Sequence, residues 1–181
     1  PYILGPLDKN QFKAVIKDPL SSKGTITEEA FKALEKTFIK DDQVKNLPLL
    51  QYTLSALWNT RNQNNEINLD TIGKEGVEGI LKSKANEMYQ KSLTEKKEEV
   101  FKKLFLDLIS IDPKNGSTLC IRKRTALGDD AWKLAEELEK NSGLIQISNI
   151  KDGNSTVYTA EITHEELIKY WDKLREWVDT A

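Results

Sequence analysis

The chain has a single histidine, His164, and a single cysteine, Cys120, and these two residue types commonly act as an acid–base catalyst and as a nucleophile. Together they could form a thiol nucleophile, in which the imidazole takes the proton of the attacking sulfur. No other motif in the sequence accompanies that pair. A structural zinc site needs about four nitrogen or sulfur ligands, which one histidine and one cysteine do not supply. We therefore expect no catalytic centre on this chain alone.

Phosphate chemistry has two candidate regions. The sequence contains no GxxxxGK(S/T) loop, the usual cradle for nucleotide phosphates. Gly73, Gly76 and Gly79 are closely spaced, but no strand precedes them, so they predict a turn and a helix start. Arg122 and Arg124 belong to the basic tetrad IRKR at 121–124. The tetrad is either a solvated turn, a set of partners for nearby acids, or a phosphate contact.

Composition narrows the class of partner. The 181 residues carry 27 Lys and Arg against 29 Asp and Glu, a formal net charge of -2, which gives no basic footprint for nucleic acid. One cysteine allows no intrachain disulfide and fits a reducing, cytoplasmic compartment. No apolar run approaches the roughly 20 residues that span a bilayer. The chain begins without methionine, and we expect it to be a piece of a longer protein.

Helical signals dominate the first half. Asp8 and Gln11 form a capping box, and Pro19 is expected to stop the helix that follows. Thr27 caps a second helix. Pro48 marks the start of a third, where its missing N–H costs nothing. A further helix is expected over 76–92, so residues 1–92 predict a small helical bundle.

The second half combines helices with one segment that has the alternating pattern of β-strands. Thr94 is expected to open a long helix, and another runs over 129–141 with Gly143 as its left-handed C-terminal cap. Strands follow at 144–147 and 156–162. Thr163 and Glu166 then suggest a capping box for one last helix, which buries Trp171, Leu174 and Val178. A hairpin after two helices is the winged-helix pattern, so the predicted fold class is mainly α: a helical bundle, then a winged-helix domain with one β-hairpin over 93–181.

A winged helix raises the possibility of a DNA-binding regulator. Its recognition helix would carry two lysines against five acids, a net charge of -3 facing a phosphate backbone. The residues are Lys133 and Lys140 against Asp129, Asp130, Glu136, Glu137 and Glu139. DNA binding therefore stays an alternative, as does an interaction scaffold with no nucleotide role. Trp58, Trp171 and Trp177 lie on apolar helical stripes and are expected to pack in the interior.

Several local motifs occur together and in order along nearly the whole chain. They are LGPL at 4–7, LPLLQYTL at 47–54, EGVEG at 75–79, ANEMY at 85–89, IRKR at 121–124 and THEELIKYW at 163–171. This arrangement resembles the region that follows the nucleotide-binding core in bacterial STAND ATPases, a class related to apoptosome and plant-immunity ATPases. The resemblance implies a helical lid followed by a winged-helix domain.

The resemblance also assigns roles to five residues. Gly5 and Pro6 match the motif that lies against the adenine of the nucleotide, although glycine and proline are adjacent here. His164 matches the histidine that reaches the β-phosphate of ADP in the closed state. Arg122 and Arg124 match basic positions that contact phosphate or another domain.

The implied function is that of a regulatory, non-catalytic part of a signalling ATPase. It would sense ADP against ATP and control the change from a closed to an open, assembling state. ADP and ATP would bind the intact parent, and neither is expected to bind this chain tightly. The implied partners are an upstream nucleotide-binding domain, a downstream sensor such as WD40 repeats, and further copies on activation.

Overall fold

The computed structural model describes residues 7–73, 75–112, 114, 116–152 and 155–181. Between Ile80 and Leu81 the chain divides into two compact units, called here unit 1 and unit 2. The helix α5 (Gly76–Thr94) is continuous through that point. The predicted division between residues 92 and 93 falls near the end of this helix and stays a prediction.

Unit 1 is built from helices joined by very short strands. Its elements before α5 are α1 (Lys9–Leu20), β1 (Thr25–Ile26), α2 (Glu28–Phe38), β2 (Ile39–Lys40), β3 (Gln43–Val44), α3 (Leu47–Asn59), β4 (Glu66–Ile67) and α4 (Leu69–Ile72). Strands β1 and β4 pair in parallel, and β2 and β3 pair antiparallel. The predicted helices of this half are therefore present, with strand pairs of two residues each between them.

The helix starts of unit 1 follow the capping chemistry of the sequence. The Asp8 side chain accepts a hydrogen bond from the Gln11 N–H, and the Gln11 side chain accepts one from the Asp8 N–H. Thr27 caps α2 through Oγ1, and Pro48 lies in the first turn of α3. Helix α1 continues one residue beyond Pro19, because a proline in the last turn removes only one N–H and still permits the helix to close.

Unit 2 mixes helices with a three-stranded sheet. After α5, its elements are α6 (Glu98–Asp107), β5 (Ile109–Asp112), β6 (Gly116–Leu119), β7 (Arg122–Lys123), α7 (Arg124–Leu127), α8 (Asp129–Ser142), β8 (Ile145–Asp152), β9 (Ser155–Ile162), α9 (Glu166–Tyr170) and α10 (Asp172–Asp179). The sheet order is β7-β9-β8, antiparallel throughout. The predicted left-handed cap at Gly143 is confirmed, with φ 64°.

The fold is mainly α, as predicted, but the expectation of one β-hairpin was wrong. Strands β5 and β6 form a second hairpin, with Ile109 opposite Leu119 and Asp112 opposite Gly116. The Pro, Asn and Gly residues at 113–116 are typical of a turn. Their flanking strands were missed because four residues each are too short to show an alternating pattern.

The helix expected to open at Thr94 begins later. Thr94 is the last residue of α5, and α6 starts at Glu98. Between them Lys96 has a φ of 58°, and the Lys97 N–H donates to the Ser92 carbonyl over 2.8 Å. The residues that the sequence pattern predicts for the first turn of α6 therefore form this tight turn instead.

The prediction of a single final helix was also wrong, because the helical backbone is interrupted at Trp171. This residue has φ -91° and ψ 103°, which ends α9 and starts α10. The helix α9 begins without a side-chain cap, so the predicted Thr163 capping box is absent. The break changes which side chains turn inward: Trp177 is buried, and Val178 is partly exposed.

Candidate functional site

His164 lies in the short connection between β9 and α9. Its backbone carbonyl accepts a hydrogen bond from the Leu167 N–H over 3.0 Å, and the preceding Thr163 N–H donates to the Leu144 carbonyl over 2.9 Å. The His164 residue is 3% exposed, and its Nε2 is inaccessible to solvent. The sheet therefore holds the histidine at a strand-to-helix junction, as the sequence pattern suggested, but places it in the interior.

The surroundings of His164 favour a neutral imidazole. Burial lowers the pKa of His164, because the charged form loses hydration, and the nearby Glu166 carboxylate opposes that shift. A neutral imidazole offers one N–H donor and one acceptor nitrogen. It can give an anion a directed hydrogen bond, but it brings no positive charge to it.

The surface next to this junction is acidic. An open depression of about 390 Å³ is lined by Ser117, Glu165, Glu166, Ile168, Lys169 and Tyr170. The helix α9 has five residues, and Glu166 lies in its first turn. The two carboxylates repel an anion, whereas the Lys169 ammonium in the same lining attracts one.

Arg122 lies on the edge strand β7 and supports the end of a helix. Its Nε donates to the Asp107 carbonyl at the C-terminus of α6 over 2.7 Å, and the Cys120 thiol donates to the same oxygen over 3.4 Å. A cation at a helix C-terminus interacts favourably with the helix dipole. Arg122 is exposed all the same, so part of the guanidinium faces solvent.

Arg124 begins α7 and lies over an aromatic ring. Its guanidinium carbon is 5.6 Å from the centroid of the Trp132 ring, within cation–π range. A loose ion pair with Asp129 has a separation of 3.8 Å, and the Asp129 side chain is 83% exposed. Because that pair is open to water, it leaves the Arg124 charge available to a ligand or another domain.

The structure does not gather the predicted residues into one cluster. Arg122 pairs in the sheet with Ala160, which is four residues before His164. Ala160 lies within β9, whereas His164 lies beyond the end of that strand at Ile162. Gly5 and Pro6 lie outside the described residues. The arginines and the histidine therefore form two separate places in unit 2.

Three glutamates of α8 make hydrogen bonds or ion pairs within unit 2. Glu136 accepts from the Trp132 indole N–H over 2.8 Å. Glu137 pairs with Lys91 over 2.5 Å and with Lys97 over 3.3 Å, and these lysines lower its pKa. The sequence pattern missed these contacts, because the lysines are about 40 or more positions away and follow no local spacing.

One further acid of α8 covers the edge of the sheet. Glu139 Oε1 accepts from the Ile147 N–H over 2.7 Å. A separate contact joins α5 to the C-terminal helices: the Trp171 indole N–H donates to Asn86 Oδ1 over 2.7 Å. Neither had a signal in the sequence beyond the residue types.

Among the described residues, no helix is both long enough and apolar enough to cross a membrane. The model of the family described as novel STAND NTPase 1 matches residues 1–181. No curated protein and no solved structure matches the chain. Since the family model covers the whole sequence, the chain belongs to the novel STAND NTPase 1 family.

Proposed function

We propose that this chain is the regulatory, non-catalytic part of a bacterial, cytoplasmic signalling ATPase, which senses whether ADP or ATP is bound and controls opening and assembly. The observation that carries the proposal is the family match over residues 1–181, in a sequence that has no GxxxxGK(S/T) loop. Phosphate binding and hydrolysis would then belong to an upstream nucleotide-binding domain of the parent protein, and the signal to a downstream sensor domain.

Unit 2 supplies the winged-helix part of this proposal. In chain order, α6, β7, α7, α8 and the β8–β9 hairpin give a helix, a short strand, two helices and a hairpin, and the strands form one sheet. This order is typical of winged-helix domains. The β5–β6 hairpin is an addition between α6 and β7.

His164 is the proposed sensor of the β-phosphate. Its position between a strand and a helix and its neutral imidazole support a directed hydrogen bond to a phosphate oxygen. Because Nε2 is buried, the contact requires the connection between β9 and α9 to open toward the nucleotide. Gly5 and Pro6 would lie against the adenine, and Arg122 and Arg124 against phosphate or the nucleotide-binding domain.

DNA binding is the weaker function for this sheet and helix. The helix α8, which a winged-helix regulator would place in the major groove, holds Glu136, Glu137 and Glu139 in internal hydrogen bonds. These carboxylates keep negative charge on α8 and would oppose a phosphate backbone. Salt-dependent retention of the chain on DNA would revive this alternative.

The test is the release of a fluorescent ADP analogue from the intact parent ATPase. His164→Leu removes the donor and keeps an apolar side chain, and we expect ADP to leave about 10- to 100-fold faster, as for a lost hydrogen bond to a charged group. His164→Gln, which offers an amide N–H, is expected to restore slow release. Thr159→Val, at another buried polar position of the sheet, is the packing control.

Signalling is measured on the same variants, with His164→Leu expected to raise basal activity. Unchanged ADP release and unchanged basal signalling in His164→Leu would reject the sensor role of His164. Unchanged function after replacing Pro6 as well would favour a scaffold with no nucleotide role.

A further inference from the structure

The strand β8 (Ile145–Asp152) is the longer edge of the three-stranded sheet. It pairs with β9 on one side only, in the order β7-β9-β8. In an antiparallel pair, successive residues direct their backbone N–H and C=O groups alternately toward the neighbouring strand and away from it. An edge strand therefore presents a row of backbone groups that a further strand can bind.

Two hydrogen bonds establish which residues of β8 face outward. The Leu144 carbonyl accepts from the Thr163 N–H, on the β9 side. The Ile147 N–H instead donates to Glu139 Oε1, away from β9. The odd-numbered residues Ile147, Asn149 and Lys151 therefore direct their backbone groups to the open edge.

The open edge is accessible and partly apolar. Asn149 and Lys151 are exposed, and Ile150 is 54% exposed. An exposed isoleucine on a long edge strand is a feature that favours pairing with another strand. The Glu139 side chain bonds to one outward backbone group, at the Ile147 end of the strand.

We propose that β8 binds β8 of a second copy of this chain, antiparallel and about a two-fold axis at Asn149. Asn149 then lies opposite its own counterpart, and Ile147 lies opposite Lys151 of the second copy. All three outward residues pair backbone to backbone. The two sheets join into one continuous sheet of six strands.

Charge complementarity selects this register. Directly opposite residues in an antiparallel pair point to the same face of the sheet, with Cβ atoms about 5 Å apart. Lys151 of one copy therefore arrives beside Ile147 of the other, where Glu139 already lies. On pairing, Glu139 releases the Ile147 N–H to the backbone of the second copy and forms an ion pair with the incoming Lys151. The axis makes this contact twice.

This interface does not involve nucleotide, so it goes beyond the proposed function, and the two can fail separately. Its first test uses charge exchange, measured by sedimentation of the whole chain. The unmodified chain is expected to dimerise with increasing concentration. Glu139→Lys alone and Lys151→Glu alone place like charges together and are expected to remain monomeric. A mixture of the two variants is expected to form a heterodimer, because both cross-contacts then join Lys to Glu.

The second test is register-specific cross-linking on a Cys120→Ser background, with a one-carbon bis-methanethiosulfonate reagent. In the proposed register the two Asn149 Cα atoms are about 5.5 Å apart. The two Lys151 positions are offset by about 13 Å along the strands. Asn149→Cys is expected to give a covalent dimer, and Lys151→Cys, at a position that is also exposed, only monomer.

Circular dichroism of every variant is the control that tests whether the fold is retained. A chain that is monomeric at all concentrations and gives no Asn149→Cys dimer would overturn the proposal and show that Glu139 simply protects the edge. Equal cross-linking of both cysteine variants would overturn the register. Dimerisation that the charge variants leave unaffected would assign the interface to another surface.

Discussion

The cores of the two units are held together in different ways. Unit 2 contains an aromatic cluster in which each ring contacts others at centroid distances of 4.9–6.4 Å. Its members are Tyr89, Phe101, Phe105, Trp171 and Trp177. Unit 1 buries a tilted Phe12–Phe31 pair and a largely aliphatic set around it. The core packing of unit 2 therefore depends on a few large aromatic side chains.

Unit 1 depends more on its turns. Four of its described non-glycine residues have positive φ angles, and they adjoin helix starts and two-residue strands: Asp41, Asp42, Asn46 and Asn65. The Asn65 carbonyl accepts the Thr25 N–H beside the β1–β4 pair. We therefore expect the stability of unit 2 to be most sensitive to the removal of side-chain bulk. The stability of unit 1 should be most sensitive to changes in how closely its backbone segments approach each other.

The largest effect is expected from Trp171→Ala in unit 2. Trp171 is fully buried, with Phe105 and Trp177 at centroid distances of 5.5 Å. Truncating a buried tryptophan costs about 3–5 kcal/mol of the free energy of unfolding. Urea unfolding followed by circular dichroism measures it. Trp58→Ala in unit 1, where the ring is partly exposed and lies under Arg61, is the control with a smaller loss. Equal losses would break the comparison.

The matching change in unit 1 adds a methyl group instead. A Cβ at Gly24 would overlap the Asn65 carbonyl oxygen and come within 3.0 Å of the Trp58 ring. Since the overlapping atom belongs to the backbone, we expect Gly24→Ala to cost about 3 kcal/mol, the upper end of overpacking. Ser22→Ala, on the exposed turn nearby, is expected to be neutral in the same urea titration. A neutral Gly24→Ala would show that the β1–β4 approach is not close-packed.

The next largest effect is expected from loss of the hydrogen bond between Asn86 and Trp171 of the aromatic cluster. Asn86→Ala leaves the buried Trp171 indole N–H without its acceptor and is expected to cost about 1–2 kcal/mol. Asn86→Asp keeps an acceptor and is expected to cost less. The decisive measurement is a double-mutant cycle with Trp171→Phe, in which the Asn86→Ala loss should disappear. Additive losses would mean that the hydrogen bond contributes nothing.

A helix cap in unit 1 sets a smaller effect. Asp8→Ala removes the acceptor of the Gln11 N–H at the start of α1, and a lost cap of this kind costs about 1 kcal/mol. Asp8→Asn, which retains a capping oxygen, should recover most of the stability in thermal unfolding. If Asn is no better than Ala, the contribution of Asp8 lies elsewhere than in the cap.

The smallest effect is a dependence on pH from His164 in unit 2. Its lowered pKa means that the unfolded chain binds the proton more tightly than the folded one. The free energy of unfolding therefore falls as the pH drops below about 6.5, toward the folded pKa, and is constant with respect to this group above it. His164→Gln should show a weaker decline in the urea midpoint over that range. An identical decline in both proteins would assign the acid sensitivity to other groups.

Much of the helical framework could be predicted from the sequence. The Asp8 and Thr27 caps, the Pro48 start and the Gly143 end were all recognisable, because each is a contact among neighbouring residues. Some predictions failed for local reasons, at the turn before α6 and at the four-residue strands β5 and β6. Another failed beside a contact between residues far apart in the sequence. Trp171 lies in an apolar stripe that predicts one continuous helix, yet the helical backbone is interrupted at this residue. Its indole N–H donates a hydrogen bond to Asn86, 85 positions away.

For the candidate sites, the sequence by itself determined the residue types and the membership of the family. Only the tertiary structure decided that His164 is buried beside an acidic depression, that Arg122 supports the end of α6, and that Glu139 covers the edge of β8. The physical reason is the range of the interactions. Capping and periodicity act within about four residues of the chain, whereas burial and the pairing of strand edges depend on which distant elements pack together.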